Sequence, residues 1–195
     1  LVGPAGHVTG VDISGEMLAL ARARAVAIGL RNVQFREGRA EAIPGDSSGC
    51  DVLLASLSLM YVIDRAAAAR EIARVLRPGG RFVAAVWAGP AECDIVWFQQ
   101  TAGSFAPPSP VPGVSPGALA DTGPFLKQLA DVGVDVRVDT EVLGFDVDDF
   151  ASAWDILAGV TAAALAPERR EAAKAAVRDV MWPSGDGPRH FRNTT

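Results

Sequence analysis

The stretch VTGVDISGEML, residues 8–18, carries an apolar strand into a helix through a single carboxylate. Residues 8–11 are typical of a short strand, and Asp12 ends it. Ser14 is a suitable N-cap for the helix that follows, and Glu16 in its first turn is favoured by the helix dipole. Ligands of open parallel sheets bind beyond the carboxyl ends of the strands, where an acid can accept hydrogen bonds from both hydroxyls of a ribose. Asp12 alone therefore leaves two interpretations open, a ribose acceptor or a residue that only shapes the turn.

Helical and strand patterns alternate through the first half of the chain, which predicts βαβ units and a parallel sheet. Leu18, Ala21, Ala25 and Ile28 recur at helical spacing and predict one apolar stripe along a helix. Gly29 follows the last of them and is a natural helix stop.

The segment DVLLASL at 51–57 is apolar in consecutive positions, as expected of a parallel strand that is buried on both faces. Asp64 predicts the N-cap of a helix over 65–76, and residues 78–80 predict a tight turn into a strand over 81–87. Together with a short strand at 32–35, these elements complete the predicted first half.

The second half opens with a change in composition, a proline-rich segment over 88–118 that contains aromatic residues. It is predicted to be a lid-like insertion with one short helix. The further predictions are helices over 95–100, 117–132, 149–160 and 167–181, a strand over 134–147, and the start of a last strand in 189–195.

Composition narrows the possible functions. The chain has 195 residues and a net charge of −5, which argues against a nucleic-acid backbone as partner. Its two cysteines form no disulfide framework and predict a cytoplasmic protein. Two distant histidines give no transition-metal site, and the apolar run 52–63 is too short to span a bilayer.

Three motifs in order carry a family resemblance: GVDIS at 10–14, EGRAEAIP at 37–44 and LRPGGRF at 76–82. Together they resemble the class I S-adenosylmethionine-dependent methyltransferases, and most closely the branch that includes the ubiquinone and menaquinone biosynthesis methyltransferases. The resemblance implies an α/β fold, a Rossmann-like open, mostly parallel twisted sheet with helices on both faces. It implies S-adenosylmethionine-dependent methyl transfer to a small-molecule acceptor.

Specific cofactor-binding positions follow from this resemblance. Asp12 matches the acid that holds the ribose hydroxyls, and apolar neighbours match groups that pack on adenine or ribose. Small and apolar residues after the strand at 51–57 match the lining of the methionine portion. The implied cofactor-binding residues are Asp12, Ile13, Met17, Arg39, Ala40, Glu41, Ser56 and Leu57.

Arg39 departs from the family pattern, which often has an Asp at this position to receive the adenine amino group. A guanidinium cannot accept a hydrogen bond. The contact is therefore expected to fall to the backbone of Ala40 or Glu41.

The family's first strand and its Gly-x-Gly-x-Gly turn have no counterpart in LVGPAGHV at 1–8. The sequence is accordingly expected to be an internal fragment, truncated at both ends of the sheet. One domain over 1–195 is predicted, with a cofactor-binding part at 1–87, the insertion at 88–118, a helix and strand at 119–147, a helical insert at 148–182 and the start of the last strand at 183–195.

The sequence identifies no catalytic acid or base, and none is required when the acceptor is already nucleophilic. Tyr61, Asp64, Asp94 and His190 are candidates, although packing, helix-cap and exposed-turn roles explain them better. A nicotinamide-dependent dehydrogenase is disfavoured, because the short-chain type needs a Lys four residues after its Tyr and Arg65 occupies that position. The remaining alternative is a non-catalytic domain of the same fold that acts by interaction.

Overall fold

The computed structural model describes residues 2–108, 111–163 and 165–195. Residue 1 of the predicted cofactor-binding part, residues 109 and 110 of the predicted insertion and residue 164 of the predicted helical insert lie outside the described residues. Within the described part of the chain, none of the helices has the length and apolar character needed to cross a bilayer.

Strands and helices follow one another as the sequence pattern predicts for an α/β protein. The strands are β1 Val8–Asp12, β2 Val33–Glu37, β3 Cys50–Ser56, β4 Leu76–Ala85, β5 Val142–Val147 and β6 Arg189–Thr194. The helices are α1 Gly15–Ala27, α2 Arg65–Val75, α3 Asp94–Gly103, α4 Gly123–Asp131, α5 Phe150–Leu157, α6 Gly159–Ala163 and α7 Pro167–Met181, with a 3-10 turn at Leu59–Tyr61.

The chain divides into two units. The first contains Leu1–Leu54, Asp64–Val83 and Phe125–Val136, and the second contains Ala55–Ile63, Ala84–Pro124 and Arg137–Thr195. Among the residues that the structure describes, the strands form three two-stranded sheets, β1 with β2, β3 with β4, and β5 with β6.

In the first unit β1 and β2 run parallel, as predicted, in a register that pairs Val8 with Val33 and Asp12 with Glu37. The Ser14 side chain caps α1 by accepting a hydrogen bond from the Met17 amide at 3.2 Å. Both parallel strands therefore end at the same edge of the sheet, next to the start of α1.

Two residues of the apolar stripe predicted for α1, Leu18 and Ala25, are buried, at 4% and 7% exposed. Ile28, the last residue of that stripe, is 64% exposed. Ile28 is the C-cap, beyond the last helical residue Ala27, so the helical spacing no longer fixes where its side chain points.

The prediction that β3 is buried on both faces is wrong, because Val52 and Leu54 are 51% and 73% exposed. Within the described residues β3 has β4 as its only strand partner, and a two-stranded sheet leaves apolar side chains uncovered. Apolar side chains on both faces of a strand permit burial, but they are buried only where other parts of the chain pack against them.

The strand predicted over 81–87 begins earlier, since β4 starts at Leu76 and runs through the Pro-Gly-Gly segment. Gly79 has a φ of 76°, which is the left-handed region that favours glycine. A Cβ added to Gly80 would lie 3.2 Å from the Asp51 carbonyl oxygen, so a glycine here lets the chain run close beside β3.

The second unit is built around the antiparallel pair β5 and β6, in which Phe145 pairs with Phe191. Phe191 is fully buried and its ring centroid lies 5.2 Å from that of Phe145. Phe98 of α3 and Trp182 after α7 pack their rings within 6.4 Å of Phe191. This aromatic cluster joins the sheet to the helices of the same unit.

Two predicted elements of the second half are shorter than expected. The helix predicted over 117–132 begins at Gly123, because the ring of Pro124 restricts the preceding residue while the Asp121 carboxylate accepts a hydrogen bond from the Gly123 amide. The strand predicted over 134–147 is regular only from Val142, where pairing with β6 begins.

Candidate functional site

The carboxyl end of β1 presents Asp12 as an exposed side chain. Its Oδ1 accepts a hydrogen bond from the Ser14 amide at 2.8 Å, which turns the chain into α1. An ionised carboxylate offers about four lone-pair sites, so this turn leaves acceptor capacity for a ligand. The two interpretations of Asp12, turn former and ligand acceptor, are thus compatible in one geometry.

A cavity of about 480 Å³ lies beside this turn and is lined by Ile13, Glu37, Gly38 and Arg39. Its volume falls within the range of roughly 300–1,000 Å³ that is usual for small-molecule sites. Ile13 is 69% exposed, so this apolar side chain is accessible to a planar ring that enters the cavity. The first unit therefore has a pocket at the shared end of β1 and β2.

Gly38 brings backbone to the wall of this cavity. A Cβ at this position would meet Pro44 Cδ at 2.5 Å and Val11 Cγ1 at 3.0 Å, so a larger residue would displace the loop. The Gly38 amide donates to the Asp12 carbonyl oxygen at 3.0 Å. The loop after β2 is consequently held against the end of β1.

Arg39 lies at the pocket with its side chain 62% exposed and with its Nε 3.9 Å from Glu41 Oε2. The next residue, Ala40, is half-buried, and the turn closes through a hydrogen bond from the Ala42 amide to the Arg39 carbonyl oxygen at 3.1 Å. Glu41 Oε1 also accepts from the Asp64 amide at 3.4 Å. The guanidinium supplies only donors, as the sequence indicates.

Helix α2 anchors the loop that follows. Glu71 Oε2 accepts from the Ile43 amide at 2.8 Å, and Arg74 donates to the carbonyl oxygens of Ile43 at 2.8 Å and Gly45 at 2.9 Å. Glu71 and Arg74 also pair with each other at 2.7 Å. The hydrogen bonds from Arg74, helped by the Ile43 amide, hold the pKa of Glu71 below its ordinary value despite partial burial.

Met17 lies in the first turn of α1 and is 55% exposed. Ser56 and Leu57 belong to the second unit, where the Leu57 amide donates to the Ala85 carbonyl oxygen at 2.9 Å. Leu57 has a φ of 52°, a left-handed conformation that is uncommon for a residue with a Cβ. The cofactor roles of all the sequence-predicted residues remain predictions.

The candidate acids and bases have structural partners. Asp64 caps α2 by accepting from the Ala67 amide at 2.9 Å, and Asp94 accepts from the Arg192 amide at 2.8 Å. His190 Nδ1 lies 2.8 Å from Asp146 Oδ1 on the exposed face of the β5–β6 pair. Tyr61 is 51% exposed, and burial of the rest of its ring raises the pKa of the phenol.

Glu37 is a pocket residue that sequence reasoning does not single out, although it opens the EGRAEAIP motif. Its position depends on the register of β2 against β1, which places it beside Asp12. A signal was present in the sequence, since both strands end in an acid.

Comparison with known proteins points to one family for residues 1–84. Residues 1–84 match the model of the methyltransferase domain family. The chain is 39% identical over 82 residues to the demethylmenaquinone methyltransferase of Lactococcus lactis, which covers 42% of this chain and 32% of that protein. It is 37% identical over 93 residues to the ubiquinone/menaquinone biosynthesis C-methyltransferase of Hahella chejuensis, which covers 47% of this chain and 37% of that protein. The chain thus spans about a third of the length of the curated relatives it matches.

Likeness in structure extends over nearly the whole chain. The solved structure of a candidate methyltransferase from Bacillus halodurans superposes with a TM-score of 0.65, covering 96% of this chain and 80% of that chain at 16% identity. At this identity the likeness shows the fold alone, and it confirms the predicted α/β, Rossmann-like class. The match of residues 1–84 confirms the resemblance to class I methyltransferases.

Proposed function

We propose that this chain serves S-adenosylmethionine-dependent methyl transfer to a small-molecule acceptor. The methyltransferase family match of residues 1–84 and the likeness in fold support the proposal. The observation that carries the proposal is the pocket at the end of β1, with an exposed carboxylate directly before it. An acceptor for ribose hydroxyls beside an apolar side chain and a glycine backbone is the arrangement that a nucleoside requires.

The residues present fit the adenosyl part of that cofactor. Asp12 would accept hydrogen bonds from the ribose hydroxyls, while Ile13 and Met17 would cover the ribose and adenine with apolar surface. Gly38 lets the loop after β2 pack against Pro44 and Val11, which keeps the pocket wall beside the end of β1. Ala40 and Glu41 would add backbone contacts beside Arg39.

The methionine portion is assigned to Ser56 and Leu57 at the end of β3. The left-handed backbone at Leu57 supports the assignment, because strained conformations concentrate at ligand sites.

When bound, the cofactor supplies a methyl group on a sulfonium, which is electrophilic without activation by the protein. The chain's task is therefore to position the acceptor in line and to exclude water. A catalytic acid or base is not needed for an acceptor that is already nucleophilic, so the proposal names none.

The acceptor is proposed to be a small molecule, which the net charge of −5 and the two named relatives support. A cytoplasmic location is proposed because the two cysteines form no disulfide framework. Both Cys50 and Cys93 are free thiols. The non-catalytic alternative gains no support from the pocket or from the named relatives.

Calorimetric titration with S-adenosylhomocysteine tests the proposal directly, because this demethylated form of the cofactor contains the adenosyl group but no reactive methyl. NAD⁺ titrated in parallel is the matched control, since it also offers a ribose and an adenine. Saturable binding of S-adenosylhomocysteine, at least about tenfold tighter than NAD⁺, is expected. Tighter binding of NAD⁺, or no saturable heat with S-adenosylhomocysteine, would contradict the proposal.

A further inference from the structure

The exposed face of the β5–β6 pair carries an aspartate and a histidine in contact. Asp146 and His190 are register partners, and Asp146 Oδ1 lies 2.8 Å from His190 Nδ1. Their neighbours Phe145 and Phe191 pack into the core, so the alternation of side chains along each strand places Asp146 and His190 on the opposite face. The His190 side chain is 62% exposed, which leaves its ring accessible to a ligand.

A glycine within β5 makes room for this ring. A Cβ at Gly144 would lie 2.5 Å from His190 Nε2 and 2.6 Å from its Cε1, so the edge of the ring rests over the glycine. The register of β5 with β6 continues through Gly144 without a bulge. Glycine inside a strand weakens it, and an exposed charged pair adds little stability. Stability therefore does not explain why the ring is seated in this way.

The carboxylate of Asp146 determines which ring nitrogen is basic. An ionised carboxylate only accepts hydrogen bonds, so it selects the tautomer of neutral His190 that has the proton on Nδ1 and the lone pair on Nε2. A carboxylate in this position also stabilises the imidazolium that forms when Nε2 takes a proton. The ring is thus oriented as a base at Nε2.

Arg192 adds a cation on the same face. It is the register partner of Gly144, so its exposed side chain leaves the sheet on the side of His190. Its backbone amide donates to Asp94 Oδ2 at 2.8 Å, which fixes this part of β6. A hydroxyl compound placed over Gly144 would find an acceptor for its proton and a donor for the oxyanion that remains.

The second unit also contains Ser56 and Leu57, the residues assigned to the methionine portion of the cofactor. The Leu57 amide donates to the Ala85 carbonyl oxygen at 2.9 Å. Three residues later, the Ala88 amide donates to the Thr194 carbonyl oxygen of β6, also at 2.9 Å. The chain after β4 therefore connects the proposed methionine site to β6 within one unit.

We propose that His190, oriented by Asp146, is the general base for the methyl acceptor and that Arg192 stabilises the acceptor's oxyanion. His190 Nε2 takes the proton of the acceptor's hydroxyl group, and the deprotonated acceptor forms a bond to the methyl carbon. The bond from that carbon to sulfur breaks, its electron pair stays on sulfur, and S-adenosylhomocysteine is released. The inference rests on the proposed function and extends it to acceptors that become nucleophilic only when they lose a proton.

Binding of 4-nitrophenol tests the proton transfer without the cofactor, because the phenolate absorbs visible light and the phenol does not. At one pH unit below the pKa of the free probe about a tenth of it is ionised, and saturating chain should raise this to about a half, the effect of a nearby opposite charge. His190→Gln and Arg192→Gln should each remove most of the increase. His7→Gln is the matched control, since His7 is the other histidine of the chain and is also exposed, and it should keep the increase.

Nitrogen-15 NMR of the histidine rings distinguishes an oriented base from a merely structural pair. In the neutral ring of His190, Nδ1 should carry the proton, whereas Asp146→Asn lets an amide donate to Nδ1 and should move the proton to Nε2. Gly144→Ala keeps both partners but places a Cβ where the ring lies. Both variants should lower the ionisation of 4-nitrophenol. A proton on Nε2 in the unaltered chain would overturn the inference.

The outcomes separate the two proposals. If the chain binds S-adenosylhomocysteine but does not ionise 4-nitrophenol, or if His190→Gln ionises it equally well, the inference fails while the proposed function stands. If the chain does not bind S-adenosylhomocysteine, the proposed function fails and the inference fails with it. Circular dichroism of each variant checks that these exposed substitutions leave the fold intact.

Discussion

Asp12 and Glu37 occupy paired positions at the carboxyl ends of the parallel strands β1 and β2. Hydrogen bonds hold the loop between β2 and β3 in two places. The Gly38 amide donates to the Asp12 carbonyl oxygen at 3.0 Å, and the paired Glu71 and Arg74 of α2 bind the backbone of Ile43. A loop held by these hydrogen bonds needs less ordering when a ligand binds at the strand ends.

Asp12→Asn should weaken binding of S-adenosylhomocysteine about tenfold, since hydrogen bonds to a charged acceptor are about twice as strong as those to a neutral one. The asparagine oxygen can still accept from the Ser14 amide, so α1 should remain capped and the thermal midpoint nearly unchanged. Asp46→Asn, in a turn of the same unit, is the control for charge alone. Unchanged affinity in Asp12→Asn would remove this residue from the site.

Glu71→Gln should lower the free energy of unfolding at pH 7 by about 1–3 kcal/mol, because charge-assisted hydrogen bonds to Arg74 and the Ile43 amide are weakened. The pKa of Glu71 is lowered in the folded chain, so its stabilisation is complete above the ordinary value of 4.5 and is lost as the pH falls through the lower folded value.

Urea denaturation of Glu71→Gln and of the unaltered chain at pH 7 and at pH 3 checks this dependence. The difference between the two proteins should shrink at the lower pH. Glu171→Gln, an exposed position of α7, should differ from the unaltered chain by less than about 0.5 kcal/mol at both values. A difference for Glu71→Gln that grows on acidification would reverse the assigned sign.

Ser48→Gly should raise the free energy of unfolding by about 0.5–1 kcal/mol. Ser48 has a φ of 57°, which glycine adopts without the steric cost of a Cβ. Its amide donates to the Arg74 carbonyl oxygen at 2.8 Å, and glycine keeps that donor. The neighbouring Ser47→Gly, where φ is not positive, should instead destabilise the chain. The same sign for both variants in chemical denaturation would refute the conformational explanation.

Phe191→Ala should cost about 3–5 kcal/mol, because the ring is fully buried in the aromatic cluster and its removal leaves a cavity. Leu143→Ala on the paired strand β5 is a matched control, since Leu143 is 46% exposed and should cost less than about 1 kcal/mol. Tryptophan fluorescence can follow the unfolding, because the ring centroid of Trp182 lies 6.0 Å from that of Phe191 and its surroundings change when the cluster separates. Equal losses in the two variants would show that the cluster is not the core of the second unit.

Local sequence alone determined the start of the site. The strand from Val8, the turn at Asp12 and the Ser14 cap were all predictable, since each depends on residues within one or two turns of one another. The Asp64 cap of α2 follows in the same way from short-range chemistry. The motifs at 10–14, 37–44 and 76–82 placed the chain in its family for the same reason, because they are contiguous.

Tertiary structure alone decided what surrounds those elements. Three features depend on which distant segment lies alongside: the register that sets Glu37 beside Asp12, the exposure of Leu54 on β3 and the start of regular β5 pairing at Val142. The alternation of side chains along a strand defines its two faces but not the segments that pack on them. The pairing register depends on both strands of a pair together. Glu37 was therefore visible in the sequence as a residue, and its place at the pocket depends on the pairing of β2 with β1.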